Sequence, residues 1–121
     1  MASSSIKALT IGYNAEYSED QPDVDELLKL SGISLVEFGA PWCSHCQFAE
    51  PIVRDAMNLY SDISHIKVYD GKGKQLGRAF QVKLWPTLIL LRDGKELGRV
   101  VRPKQAEDIL RLIHQLKNKE R

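Results

Sequence analysis

The chain has 121 residues, 43% of them hydrophobic and 27% charged, which is the make-up of one globular domain with a core of its own. A formal net charge of +1 leaves no bulk electrostatic footprint for nucleic acid or an anionic membrane. No apolar run approaches the roughly 20 residues that span a bilayer.

Residues 1–5 are small and polar, without a charged region leading into an apolar one. They do not read as a secretory signal, so a cytoplasmic setting is expected, with a mature form whose leader was removed as the alternative. Residues 6–11 (Ile-Lys-Ala-Leu-Thr-Ile) read as a short first strand, and residues 12–21 are polar and turn-rich. Pro22 then sits as the first residue of a helix, with Asp23, Asp25 and Glu26 on the positive end of its dipole. Val24, Leu27, Leu28 and Leu30 supply its apolar face and Gly32 ends it. Residues 33–38 form a nearly continuous apolar run, the pattern of a central strand covered on both faces.

A second helix runs from the cysteines to about Ser61, with Phe48, Ile52, Val53, Met57, Leu59 and Tyr60 at helical spacing. Pro51 inside it predicts a kink rather than a break. Residues 63–70 are a third strand, 71–74 a basic loop, and 75–81 a short helix. Trp85-Pro86 precedes an apolar strand at 87–92, Asp93-Gly94 is a hairpin signal, and 96–101 is the returning strand. From Pro103 onward, Ala106, Ile109, Leu110, Ile113 and Leu116 mark an amphipathic last helix. Lys72, Lys74 and Arg78 read as a solvated face, and His65 and His114 as ordinary surface or hydrogen-bonded residues.

The order β-α-β-α-β-α-β-β-α predicts an α/β fold: a mixed central sheet with helices on both faces. Strand–helix–strand units favour parallel pairing, and the final hairpin is antiparallel. Residues 1–121 are expected to form a single domain with 1–5 and 117–121 as flexible ends.

The chemistry concentrates in Ala40-Pro41-Trp42-Cys43-Ser44-His45-Cys46, which holds both cysteines. If a helix starts at Cys43, Cys46 lies one turn on along the same face, where the two sulfurs can close a small strained disulfide. A helix N-terminus favours an anion, and such placement lowers a thiol's pKa from about 8.5 toward 3.5–7.5. A cationic His45 beside the thiolate favours the reduced state further, making the disulfide more oxidising. Cys46, deeper in the helix, keeps its proton more tightly and suits a resolving thiol. A zinc site would need His45, His65 or His114 as further ligands, and none has a second motif's spacing. Two inert buried cysteines are the other alternative. Glu37 interrupts the apolar strand, where an isolated charge is expensive. Its side of the strand reaches solvent or a paired lysine, or it is a functional buried acid.

The sequence Val36-Glu37-Phe38-Gly39-Ala40-Pro41-Trp42-Cys43-Ser44-His45-Cys46, followed by Pro51 and then Trp85-Pro86-Thr87, resembles the thioredoxin family. Its wording is especially similar to the catalytic domains of protein disulfide isomerase. The resemblance covers residues 6–116. It implies a thioredoxin fold and a protein-disulfide oxidoreductase in which Cys43 attacks, Cys46 resolves, and the Cys43–Cys46 disulfide is the redox group, with no metal and no further cofactor. Pro86 would be a cis-proline facing the sulfurs, leaving the backbone of Trp85 free to pair with an extended substrate. Glu37 would be the buried acid beneath Cys46, its pKa raised by desolvation so that it takes the Cys46 proton through water, with Lys67 as its partner. Trp42, Pro41 and Trp85 would form an apolar apron.

Gly39 stands where the family carries an aromatic, which thins one wall. Ser44 replaces the usual Gly or Pro, and Arg102 is the candidate for an arginine approaching the second cysteine. The implied partners are protein disulfides and an external reductase or thiol donor, acting on a monomer. In an oxidising compartment the same couple would serve as an oxidase or isomerase. A binding or chaperone-like module of the same fold is the rival reading.

Overall fold

Alternation along the strands sets the layers of this molecule. The computed structural model describes residues 6–71 and 74–119. Its elements are β1 (Leu9–Ile11), α1 (Val24–Leu28), β2 (Ile33–Gly39), α2 (Ser44–Asn58), β3 (Ser64–Tyr69), α3 (Leu76–Ala79), β4 (Thr87–Arg92), β5 (Lys95–Val101) and α4 (Ala106–Lys119). This is the expected order. The strands form one sheet in the order β1-β3-β2-β4-β5.

Only β2 and β3 pair in parallel, across α2; β1–β3, β2–β4 and β4–β5 are antiparallel. The preference for parallel pairing therefore fails for the other two strand–helix–strand units. α3 has four residues and spans only about 6 Å, too little to carry the chain back along the sheet. β4 consequently starts beside the end of β2, at the same side of the sheet where β3 ends, and runs the opposite way. β1 lies on the outer edge of β3, where Gly12 (φ 87) reverses the chain. The following loop then runs back along the same edge, and Ser18 forms a parallel bridge with Val68.

One face of the sheet carries Val36, Phe38, Ile66, Val68, Ile89 and Leu91, packed with Leu27 of α1 and Leu76 of α3. The other carries Leu35, Leu88 and Leu90 against Ala49, Val53, Ala56 and Met57 of α2 and Ile109 and Ile113 of α4. Burying each such side chain contributes roughly 1.5–3 kcal/mol, so both faces of β2 and β4 hold the fold together. Glu37, two residues after Leu35, falls on the α2 side.

Several boundaries differ from the sequence expectation. Ile6 and Ala8 are buried in the core, but only Leu9–Ile11 joins the sheet. Pro22 lies one residue before the cap of α1 rather than inside it: Asp23 is the N-cap, and its N–H donates to Glu26 Oε1 at 2.8 Å. The helix ends at Leu28, which is exposed, and Gly32 (φ 78) serves the turn into β2. Pro51 lies within the single helix α2, whose Phe48 faces outward, as does Leu59 just beyond its end. Asp93 (φ 51) and Gly94 (φ 82) make the hairpin turn with both residues left-handed. Lys72 and Gly73, residues 1–5, 120 and 121, and the side chains of 116–119 lie outside the described residues. Among the described residues no helix is long and apolar enough to cross a membrane.

Candidate active site

Cys43 does not start the helix; it caps it. With extended backbone (φ −78, ψ 122) it is the N-cap of α2, and its Sγ accepts from the Cys46 N–H at 3.3 Å. The sulfur thus sits where unpaired amides and the helix dipole favour negative charge. Both cysteines are free thiols, 8% and 3% exposed. Burial and a hydrogen bond with Cys43 push the Cys46 thiol up to about 12, so it holds its proton at neutral pH. His45 is exposed on the first turn of α2, and among the described residues it makes no hydrogen bond or ion pair.

Ala40, Cys43 and Cys46 form a small cluster against Tyr17, Tyr69 and Trp85. The Trp85–Pro86 bond is cis. Trp42, 64% exposed, meets Trp85 edge-on with ring centroids 5.5 Å apart. The Trp85 indole N–H donates to Asp70 Oδ2 at 2.9 Å, which fixes the ring from the end of β3. The carbonyl of Trp85, one of the backbone groups expected to meet an extended substrate, already accepts from Arg102 Nε at 2.7 Å. Arg102 (φ 52) also donates its own N–H to Pro86 O at 2.9 Å. Its Nε is directed at this loop, and the structure gives it no bond to Cys46.

Glu37 is 1% exposed, and neither solvent nor a simple lysine pair accounts for it. Its Oε2 accepts from the Tyr17 hydroxyl at 2.7 Å and its Oε1 lies 2.9 Å from His65 Nε2. The other ring nitrogen, His65 Nδ1, accepts from the Asn14 backbone N–H at 2.9 Å. A backbone N–H can only donate, so Nδ1 is bare and the imidazole is neutral, with its one proton on Nε2 facing the carboxylate. Lys67 lies beside Glu37 in the β2–β3 register. Its Nζ, however, donates to Ala15 O at 3.1 Å and sits 4.4 Å from the centre of the Tyr17 ring.

The expected upward shift of Glu37 is reversed. Burial pushes the carboxyl up, but the His65 hydrogen bond, the nearby Lys67 ammonium and the Tyr17 hydrogen bond together hold it below its ordinary value. Among the described residues no buried side-chain nitrogen or oxygen lacks a hydrogen-bond partner.

Sequence reasoning missed Tyr17, Asn14 and His65. Tyr17 comes from a stretch that reads only as a polar loop, and nothing local marks it. His65 carried a readable signal. With Lys67 it places polar residues at every second position of an apolar strand, the period that puts both on the face of Glu37. Gly39 does not thin the site either. A Cβ there would lie 2.6 Å from both Cys46 Sγ and the Tyr17 hydroxyl, so those two groups fill the space an aromatic side chain would need. A cleft of about 320 Å³ opens beside them, lined by Tyr17, Pro41, Cys46, Gln47, Glu50 and Lys67 among others. Among the described residues no group of three or more His, Cys, Asp or Glu could hold a metal ion.

Residues 17–115 match the thioredoxin family model. The chain is 36% identical over 87 residues to a thioredoxin of Chlamydia pneumoniae, covering 69% of this chain and 82% of that protein. It is 33% identical over 73 residues to rice thioredoxin H2-2, covering 60% of this chain; the match spans only 54% of that protein's length. Reduced thioredoxin 2 from Pseudomonas aeruginosa PAO1 is similar in structure, with a TM-score of 0.79 and 47% identity over 88% of this chain and 99% of that one.

Proposed function

We propose that this chain, which belongs to the thioredoxin family, reduces disulfides in protein substrates, with Cys43 as the attacking thiol and Cys46 as the resolving one. Family membership makes it a thiol oxidoreductase with a Cys-x-x-Cys pair, whose chemistry needs no cofactor beyond the two cysteines. One observation carries the assignment of roles: Cys43 Sγ caps α2 and accepts the Cys46 N–H, whereas the Cys46 thiol is buried a turn deeper.

The cycle follows from that asymmetry. Cys43 thiolate attacks one sulfur of a substrate disulfide, forms a mixed disulfide and releases the first substrate thiolate. Cys46 then attacks Cys43 Sγ, and the electron pair of the mixed disulfide leaves on the second substrate sulfur. The substrate gains two electrons and the enzyme is left as the Cys43–Cys46 disulfide, to be reset by an external reductase or thiol donor. Trp42 and Trp85 supply an apolar rim for the substrate, and His45 lies exposed on the first turn of α2 between the two cysteines. A substrate N–H that pairs with the Trp85 carbonyl shares it with Arg102 or displaces the guanidinium.

Net direction depends on compartment: a reducing setting such as the cytoplasm drives reduction, and an oxidising one turns the same couple into a disulfide donor. Turnover of a small disulfide-bonded protein by the dithiol form tests the activity, and its absence with the fold intact would remove the enzymatic reading. Cys46→Ser should accumulate mixed disulfides through Cys43, while Cys43→Ser should accumulate none. Trapping through Cys46 would reverse the roles.

A further inference from the structure

The resolving step needs a base, because Cys46 is a buried thiol that keeps its proton. Tyr17 stands where that proton must go. Its hydroxyl donates to Glu37 Oε2 at 2.7 Å, and its side chain packs against the cluster that holds the Cys46 thiol. The hydroxyl and the Cys46 sulfur close in on the same point beside Gly39, each 2.6 Å from where a Cβ would be, and both residues line the cleft there. Other contacts hold the ring in place. Lys67 Nζ lies over its face, and Ser18, the next residue, is pinned to β3 by Ser18 N–H to Lys67 O at 3.0 Å and Tyr69 N–H to Ser18 O at 2.8 Å. The neutral His65 occupies the other oxygen of Glu37, which leaves Oε2 to Tyr17.

We propose that Tyr17 is a catalytic residue of the resolving step, its hydroxyl carrying the Cys46 proton to Glu37 in place of a water molecule. The proposal rests on the role of Cys46 given under Proposed function. In the mixed disulfide, Cys46 sulfur forms its bond to Cys43 Sγ and the bond from Cys43 to the substrate sulfur breaks, with its electron pair going to the substrate. As the thiol becomes acidic, its proton passes to the Tyr17 oxygen while the Tyr17 proton passes to Glu37 Oε2. No phenolate forms: burial and the Glu37 carboxylate hold the Tyr17 hydroxyl far above its ordinary value. Glu37, held low, keeps the proton only briefly and returns it through Tyr17 toward the cleft that Tyr17, Cys46, Lys67 and Glu50 line. The movement of two protons therefore accompanies sulfur–sulfur bond formation and does not precede it.

Stopped-flow mixing of the dithiol protein with 5,5′-dithiobis(2-nitrobenzoate) separates the steps. The first coloured thiolate is released at a rate proportional to reagent as Cys43 attacks, and the second at a reagent-independent rate as Cys46 resolves. Tyr17→Phe keeps the ring and removes only the hydroxyl. It should leave the first phase unchanged and slow the second on the order of 100-fold, the scale of positioned proton transfer. The solvent deuterium effect on the second phase should fall in the variant, and the Tyr17→Phe/Glu37→Gln pair should be no slower than the slower single variant.

A second phase within about twofold of wild type, an equal slowing of both phases, an unchanged isotope effect, or multiplicative losses in the double variant would each overturn the relay. The reagent is not a protein, so a wild-type chain that resolves it but fails to reduce protein disulfides refutes the proposed function and leaves the relay to be judged on these rates.

Discussion

His65 Nε2 lies 2.9 Å from Glu37 Oε1, with both side chains closed off from solvent. The contact is not an ion pair. Asn14 donates its backbone N–H to His65 Nδ1, so the ring is neutral and acts as a fixed hydrogen-bond donor to the carboxylate. The strand pair β2–β3 thereby carries a charged acid through the core, with each of its oxygens given one donor.

His65→Leu fills much of the same space and removes both hydrogen bonds. It leaves the Asn14 N–H and one oxygen of a buried carboxylate unpartnered, so stability should fall by about 3 kcal/mol or more. Urea unfolding at pH 7 measures this. A loss under about 1 kcal/mol would mean that the ring does not hold the acid.

Glu37 titrates below its ordinary value in the folded chain, which fixes the sign of its pH linkage. A lowered folded-state pKa contributes stability that is fully present above the unfolded value, near 4.5, and is lost as pH falls through the folded one. Glu37→Gln retains the shape and abolishes the titration. The stability difference between wild type and variant should shift against wild type as pH drops below about 4.5. Curves that stay parallel from pH 7 to pH 3 would contradict the lowered value.

Gly39→Ala tests whether the space beside the resolving thiol is full. Its Cβ would meet Cys46 Sγ and the Tyr17 hydroxyl at 2.6 Å, so one must move. A stability loss of roughly 1–3 kcal/mol is expected from overpacking. Reagent-independent thiol release by Cys46 should slow with it, because the hydroxyl and the thiol are pushed apart. An unperturbed variant would show the site to be looser than described.

Much of this was readable from residue order. The apolar runs at 33–38 and 87–92 became β2 and β4, buried on both faces, because continuous hydrophobicity needs cover on both sides. Asp93-Gly94 became the hairpin turn because both residues tolerate left-handed backbone. The Cys-x-x-Cys spacing at a strand–helix junction marked the chemistry, since three residues bring two side chains to one end of a helix. All of these are local rules, acting over a few residues.

The environment of that chemistry obeyed no local rule. Tyr17 reaches Glu37 across 20 positions and His65 across 28, and Arg102 reaches the Trp85 carbonyl across 17. Whether a buried acid is raised or lowered depends on which donors converge on it. Here the convergence comes from a reversal at Gly12 that returns a plain polar loop along the edge of β3. Periodicity along the chain can place Glu37 inside a sheet. Its proton affinity is set by Tyr17, His65 and Lys67, which the fold brings to it from distant positions, because electrostatics in a dry interior depends on distance in space.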